Sequence, residues 1–187
     1  YFATGRASWL AIGLALVAVG GYAVYQISSK IQDRVANFID PFADFDGIGN
    51  QPANALIGLS WGGITGTGLG YGHPELVPVA HSDYILAAVG EELGFVGIAA
   101  VLCLFGIFIT RGFRTAMQTR DSYGKLLASG LSLTIAIQIF VVAGGVSAML
   151  PMTGLTTPFM SAGGSSVMAN YILLGLLLRI SNSANRP

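Results

Sequence analysis

From Leu126 to Leu178 no residue carries a charge. A stretch that long cannot be covered by the polar surface of a water-soluble domain, because each helix in it would have no side to turn to water. A membrane-crossing helix needs about 20 mostly apolar residues, so this run holds two. Pro151 and Pro158 divide it, since proline and the residue before it disfavour continued helix. The pattern therefore predicts spans at about 126–150 and 165–180, preceded by two others at about 7–29 and 84–110. The second of these is interrupted only by Glu91 and Glu92.

Composition agrees. Charged residues make up 10% of the chain and its mean hydropathy is +0.67, whereas a soluble domain carries roughly a quarter charged residues. Nine basic and nine acidic residues cancel, which argues against a basic nucleic-acid binder. The single cysteine, Cys103, lies in an apolar run and offers neither a disulfide framework nor a thiolate metal cluster. No small-residue cleavage site follows the first apolar run, so it does not read as a secretory signal. The chain begins without Met and almost directly in a hydrophobic helix. The expectation is a piece of a larger protein.

Basic residues set the orientation. Arg111, Arg114, Arg120 and Lys125 lie between the second and third spans, Arg6 precedes the first, and Arg179 and Arg186 follow the core of the fourth. Four spans put these regions on one side, which the positive-inside rule makes cytoplasmic. The other side holds Asp33, Asp40, Asp44, Asp46, Glu75 and Asp83 against only Lys30 and Arg34. Trp9 and Trp61 read as interface markers. The long outer loop, about residues 30–82, is thus the expected seat of chemistry.

That loop has a polar first part, 33–51, with proline and glycine turns, and an apolar, glycine-rich second part, 52–72. Asn54 to Trp61 is predicted as a short helix that dips into the interface or lines a cavity. Gly66, Gly68, Gly70 and Gly72 alternate, but no βαβ context surrounds them and no Lys-Ser/Thr follows, so they do not make a nucleotide loop. Asp44, Asp46 and Gly47 resemble the start of a calcium loop without its later ligands, and read first as a turn.

Three acids demand an account. Asp83 at the outer end of the second span has two readings. Either Ser82 or Asp83 caps the helix, where the dipole favours an acid, or Asp83 is a general base in an outward-facing cavity. An aspartate has a pKa near ~3.9, so basicity would need neighbouring acids such as Glu75 and partial desolvation. Glu91 and Glu92 lie roughly 12 to 14 Å further along the helix, at about 1.5 Å per residue. Ionisable groups inside a span are costly and usually face the bundle interior or water. One of the two is expected to face the cavity and the other to bond another helix or stay protonated, and a role in helix packing is equally open. His81 either orients Asp83, contacts substrate or is simply solvated. Arg34 either pairs with Asp33 or Asp40, or binds phosphate through its guanidinium fork.

The motifs RVANFIDPFADFDGIGNQ, GGITGTGLG, ELVPVAHSDYILAAVGEELGFVG and GGVSAMLPMTGLTTPFMSAGGSS, with TRDSYGKLLASGL and the closing NYILLGLLLRIS, together resemble the SEDS family (RodA, FtsW and SpoVE). The pattern is nearest the RodA, cell-elongation type, and covers essentially the whole chain in the right order. The resemblance implies an all-α polytopic membrane helix bundle. The four spans would be the last of about ten, each of about 20 apolar residues, with a long extracytoplasmic loop containing short helices. It further implies a peptidoglycan glycosyltransferase of the cytoplasmic (inner) membrane that polymerises lipid II at the outer face, with a class B penicillin-binding protein as partner.

The family's essential aspartate, in its H-[ST]-D motif, matches Asp83. Its acid ahead of the next proline matches Glu75, its Arg at the start of the loop Arg34, and its Gln after the glycine turn Gln51. On the same resemblance His81 contacts substrate, and segment 150–166 is a cavity wall with Ser161 and Gly163 near the sugar. The alternative for that segment is an ordinary outer turn whose Ser165 or Ser166 caps the fourth span. Two departures bear on phosphate binding: Val79 stands where the family often has a second acid, and Thr67 where some members have lysine. The expected chemistry is removal of the proton from the 4-hydroxyl of an acceptor sugar by Asp83, with inversion at the donor's anomeric carbon. The lipid diphosphate leaving group would be stabilised by Arg34 or by a divalent cation, magnesium or manganese, whose ligands are unknown; no organic cofactor is implied. Rival readings are a lipid II flippase, for which Glu91, Glu92 and the proline-broken segment 151–164 would form a polar path, and a scaffold for the penicillin-binding protein.

Overall fold

A computed structural model describes residues 7–184 of the chain; Arg6 and Arg186, and the side chain of Trp9, lie outside what it describes. Its helices are α1 (Ala7–Ile27), α2 (Ser29–Ile39), α3 (Asn50–Gly62), α4 (Ile85–Gln118), α5 (Ser122–Val146) and α6 (Gly164–Ala184), with a 3₁₀ turn at Pro74–Leu76. No strand occurs among the described residues. By length and composition α1, α4, α5 and α6 can each cross a membrane. This is a multi-pass membrane protein with the all-helical architecture the spans predict.

Between helices in lipid there is no hydrophobic driving force, so close packing of small side chains takes its place. The α4–α5 pair shows this. The buried face of α5 runs through Gly124, Ala128, Ser132, Ile135, Ile139, Val142 and Val146, a three-and-four spacing that keeps one stripe of the helix toward α4. A side chain at Gly112 of α4 would collide with Ser132. Toward the end opposite Arg111 and Arg114, Tyr84, Leu86, Ala87, Ile139, Val142 and Val146 pack with Ala55 of α3 and Val77. α1 buries none of its membrane-crossing surface and touches α2.

The elements depart from expectation in three places. The polar stretch after α1 is helical: α2 starts two residues after α1 ends and buries none of its residues. The short predicted helix is longer, beginning at Asn50 with Pro52 in its first turn, where proline lacks nothing the helix needs. The second span is not a continuous helix. Gly94, at φ 67° and ψ −166°, breaks it just after the glutamates. Beyond that break α4 runs on to Gln118, carrying Arg111 and Arg114 past the expected end.

A broken helix frees backbone groups that lipid cannot satisfy. The glycine-rich loop satisfies them. The amides of Phe95 and Val96 donate to the carbonyls of Gly63 (2.9 Å) and Ile64 (3.2 Å). In return the amides of Thr67 and Gly68 donate to the carbonyls of Glu91 (2.9 Å) and Glu92 (3.0 Å). A Cβ at Gly66 would strike the backbone of Glu92, and its φ is +84°. This is why the loop needs glycine there.

Candidate functional site

Three segments meet at the end of the bundle opposite Arg111 and Arg114: α2 with the turn into α3, the residues leading into α4, and the connection from α5 to α6. They enclose a cavity of about 280 Å³ bordered by Lys30, Asp33, Arg34, Asn37, Gln51, Asp83, Tyr84, Met152 and Gly154, among others. Ligand pockets usually span about 300 to 1,000 Å³, so this hollow takes a sugar ring or a phosphate group rather than a whole lipid-linked disaccharide.

α2 supplies the cations. Lys30 and Arg34 lie one turn apart, as do Asp33 and Asn37, so one polar face turns to the cavity while Ile31, Val35 and Ile39 fall elsewhere. Nδ2 of Asn37 donates to the carbonyl of Ile48 (2.7 Å), fastening α2 to the turn that leads into α3. Nη1 of Arg34 donates to the carbonyl of Thr153 (2.8 Å), 119 residues away in sequence. One edge of the guanidinium is thereby anchored.

Asp83 is half-buried and borders the same cavity. It does not cap α4. The N-cap position is Tyr84, with no side-chain cap bond, and the hydroxyl of Ser82 donates to Oδ1 of Asp83 (2.7 Å). The capping reading is therefore corrected: the chain turns into the helix one residue later than that role needs. Gly154 stands between Asp83 and Arg34. A Cβ built on it would lie 2.9 Å from Nη2 of Arg34 and 3.5 Å from Oδ2 of Asp83, and its φ is +73°. Arg34 and Asp83 do not come within ion-pair distance; among the described residues the pair that does is His73–Glu75. Tyr84 is buried beneath them, and burial foremost, then the charge of Asp83, pushes its hydroxyl up to about 12.

The turn holding Asp83 is fastened from two sides. Nε2 of Gln51 donates to the carbonyl of Pro78 (2.8 Å), and the amide of Ala162 donates to the carbonyl of His81 (2.9 Å). Val79 sits at φ 58°, a region that costs a β-branched residue about 1 to 2 kcal/mol. The ring of His81 is exposed; its backbone, rather than its imidazole, ties the turn to the α5–α6 connection. Glu75 lies apart from the cavity. Its carboxylate accepts from Nδ1 of His73 (2.9 Å) at the surface. That hydrogen bond, joined by its own backbone amide, holds the carboxyl below the usual range. Glu75 is thus engaged elsewhere and does not share the hollow with Asp83.

The α5–α6 connection folds back into the bundle. Phe159, at φ 62°, stacks edge-on between Phe108 (6.0 Å) and Tyr171 (5.7 Å). Ser161 is 3% exposed, and its Oγ accepts from the amide of Thr157 (2.8 Å). Neither Ser161 nor Gly163 borders the cavity; Met152, Thr153 and Gly154 bring the connection to it. Ser166 shares a hydrogen bond with Thr156 (2.6 Å), and its Oγ and its carbonyl accept from Asn170, at 3.3 and 2.9 Å.

The paired glutamates take no part in the cavity. Glu91 is 2% exposed, and its Oε1 accepts from the amide of His73 (2.6 Å). Oε1 of Glu92 accepts from the amide of Gly70 (3.1 Å). The expectation that one of them faces the cavity is overturned. Both accept from amides of the glycine-rich loop and the residue that follows it. Thr67 works at the same junction, its hydroxyl donating to the carbonyl of Glu91 (3.1 Å).

Sequence reasoning missed Lys30, Asp33 and Asn37, whose helical spacing in SKIQDRVANFI was a usable signal. It also missed Gly154, for which the sequence carried none. No group of three or more His, Cys, Asp or Glu side chains gathers at metal-binding distance among the described residues. Asp33 and Asp83 are the two carboxylates at the cavity.

Comparison with known proteins bears on what such a cavity does. A family model described as Cell cycle protein, FTSW_RODA_SPOVE, matches residues 1–186. The chain is 57% identical over 187 residues to the peptidoglycan glycosyltransferase RodA of Mycobacterium tuberculosis, covering all of this chain and 40% of that protein. It is 53% identical to the RodA of Mycobacterium leprae over the same shares. It is 35% identical over 184 residues to a probable peptidoglycan glycosyltransferase FtsW of a Geobacter species, covering 96% of this chain and 50% of that one. The chain thus spans less than half the length of the RodA relatives it matches. Among solved structures it resembles a chain from work on structural coordination of polymerization and crosslinking by a peptidoglycan synthase complex. The TM-score is 0.72 at 27% identity, over 96% of this chain and 50% of that one.

Proposed function

The chain belongs to the FtsW/RodA/SpoVE family, and on that premise we propose that the whole protein is a peptidoglycan glycosyltransferase. It polymerises lipid II at the outer face of the cytoplasmic membrane, for cell elongation or division. The observation that carries the reading is the meeting of Asp83 and Arg34 across Gly154 at one hollow. A base and a phosphate-binding fork on either side of an open gap are what glycosyl transfer from a lipid diphosphate requires.

In this mechanism Oδ2 of Asp83 accepts the proton of the acceptor sugar's 4-hydroxyl as that oxygen attacks the donor's anomeric carbon. The new glycosidic bond forms as the bond to the diphosphate breaks, with inversion. The Ser82 hydroxyl holds Oδ1 and so fixes the carboxylate's rotamer. Arg34, with Nη1 anchored on Thr153, turns Nη2 toward the gap, where a guanidinium stabilises charge developing on a phosphate oxygen. Lys30 adds a second cation one turn away. A single base suffices for this inversion, unlike the two-carboxylate scheme of hydrolases.

A divalent cation fits the donor set in one form. Magnesium commonly takes one or two carboxylates together with substrate phosphates, and Asp33, which borders the same hollow, would supply the protein's share while Asp83 stays free as the base. Bound there, it would neutralise leaving-group charge. The partner is a class B penicillin-binding protein, a reading supported by the synthase complex to which the similar solved chain belongs. The flippase reading is weakened, because the glutamates that suited a polar path are bound to loop amides. The test is polymerisation of lipid II by the full-length protein, with Asp83→Asn and with chelator. Glycan from a folded Asp83→Asn variant would reject the assignment. Lipid II moved between leaflets without glycan would favour the flippase.

A further inference from the structure

A second hollow lies at the other end of the bundle, where α4 and α6 diverge. Its volume is about 620 Å³. Gly112 draws α4 against Ser132 of α5, and α6 meets the pair through Leu177, which packs with Ala116 and Ala128. Phe108, Leu174 and Leu178 form an apolar floor; Arg111 and Arg114 stand at the edge. Beyond the break at Gly94, the 24 residues of α4 from Phe95 to Gln118 rise about 36 Å at about 1.5 Å per residue, against about 30 Å of hydrocarbon. The last turns of α4 therefore reach the headgroup layer, and both arginines are exposed there.

Neither arginine has an anionic partner within ion-pair distance among the described residues. The one acid nearby in sequence, Asp121, is engaged in capping α5, its Oδ2 accepting from the amide of Gly124 (2.8 Å). Two guanidinium forks thus border an apolar trough with no carboxylate to satisfy them. Water can cover the rim but not the floor. A molecule with an anionic head and a hydrocarbon tail matches both parts.

We propose that this α4–α6 hollow seats an anionic phospholipid of the inner leaflet. Its phosphate lies between Arg111 and Arg114 and one acyl chain lies along Phe108, Leu174 and Leu178. Guanidinium forks favour phosphate oxygens through paired hydrogen bonds, and basic pockets between membrane helices on the cytoplasmic side hold anionic headgroups. The orientation rests on the distribution of basic residues, and the site stands apart from the cavity of Asp83. It holds whether or not the glycosyl-transfer reading does.

The experiment uses the full-length protein in detergent, supplied with mixed micelles of equal parts phosphatidylglycerol and phosphatidylcholine, and reads retained lipid by native mass spectrometry. The wild type should retain phosphatidylglycerol preferentially. Arg111→Gln with Arg114→Gln should weaken that retention about tenfold or more, given the contribution of each cation near a membrane surface. Arg120→Gln with Lys125→Gln, which removes equal charge outside the hollow, should leave the preference intact. Leu178→Trp, which fills the trough without touching charge, should reduce retention as well. Unchanged preference in the double arginine variant overturns the proposal. So does unchanged retention in Leu178→Trp, displacement of the lipid by inorganic phosphate alone, or a wild type that retains none because another segment of the longer protein fills the trough.

Discussion

The carboxylate of Asp83 borders an open hollow with one oxygen held by a serine hydroxyl, whereas that of Glu91 is buried with one oxygen held by a backbone amide. The two sit close together in one stretch of chain and belong to the same chemical class. What separates them is the company each finds. Just after the glycine-rich loop the amide of His73 needs an acceptor, and Glu91 is that acceptor. Nothing comparable reaches Oδ2 of Asp83, which instead looks across Gly154 at a guanidinium. A carboxylate that closes a backbone account is structural; one left facing a cavity is available for chemistry.

The largest expected effect tests the Asp83 side. Asp83→Asn should lower lipid II polymerisation by the full-length protein by about 10²- to 10⁴-fold, the usual worth of a general base. The fold should hold, since an amide oxygen still accepts from Ser82; thermal unfolding in detergent checks this. Retained turnover would erase the distinction between the two acids. Next, Gly154→Ala should reduce polymerisation about tenfold, because the new Cβ enters the space beside Arg34 Nη2 and the left-handed backbone costs about 1 to 2 kcal/mol. Activity unchanged by Gly154→Ala would mean that the gap is not where substrate sits.

On the other side, Glu91→Ala should cost about 1 to 3 kcal/mol of stability by leaving the amide of His73 without its acceptor. A calorimetric scan reads it, and turnover per folded molecule should fall far less than in Asp83→Asn. A variant stable as wild type but inactive would make Glu91 the functional acid after all. The smallest effect concerns Glu75, an acid of neither kind. Its carboxyl is held below its ordinary value of 4.5, chiefly by the His73 hydrogen bond. The folded form therefore binds its proton less readily than the unfolded form. The associated stability is present above about 4.5 and lost as pH falls through the lower folded value. Unfolding of wild type and Glu75→Gln compared from pH 7 down to about pH 3 should converge at the acid end.

Much of this was legible before any coordinates. Uncharged runs of about 20 residues locate spans because lipid admits few alternatives. The resemblance through HSD led to Asp83. The readings failed where the partner was remote. The helical spacing of Lys30, Asp33 and Arg34 was a local signal that a loop reading passes over, but the carbonyl that anchors Arg34 lies 119 residues away. Glu91 and Glu92 looked like a polar path because the amides they bind belong to a loop about 20 residues upstream, and Gly94 concealed a break inside an otherwise unbroken apolar pattern.

By itself the sequence determined that four segments must cross a membrane, which side carries the basic residues and which carboxylates are candidates, because hydropathy and charge act on each segment separately. Only the tertiary structure decided which acid faces open space. That depends on Gly154 and Thr153 arriving beside Asp83 and Arg34 from the far end of α5, and on a glycine loop reaching Glu91. Such meetings follow from how helices pack and where the chain can bend, and no local pattern encodes them.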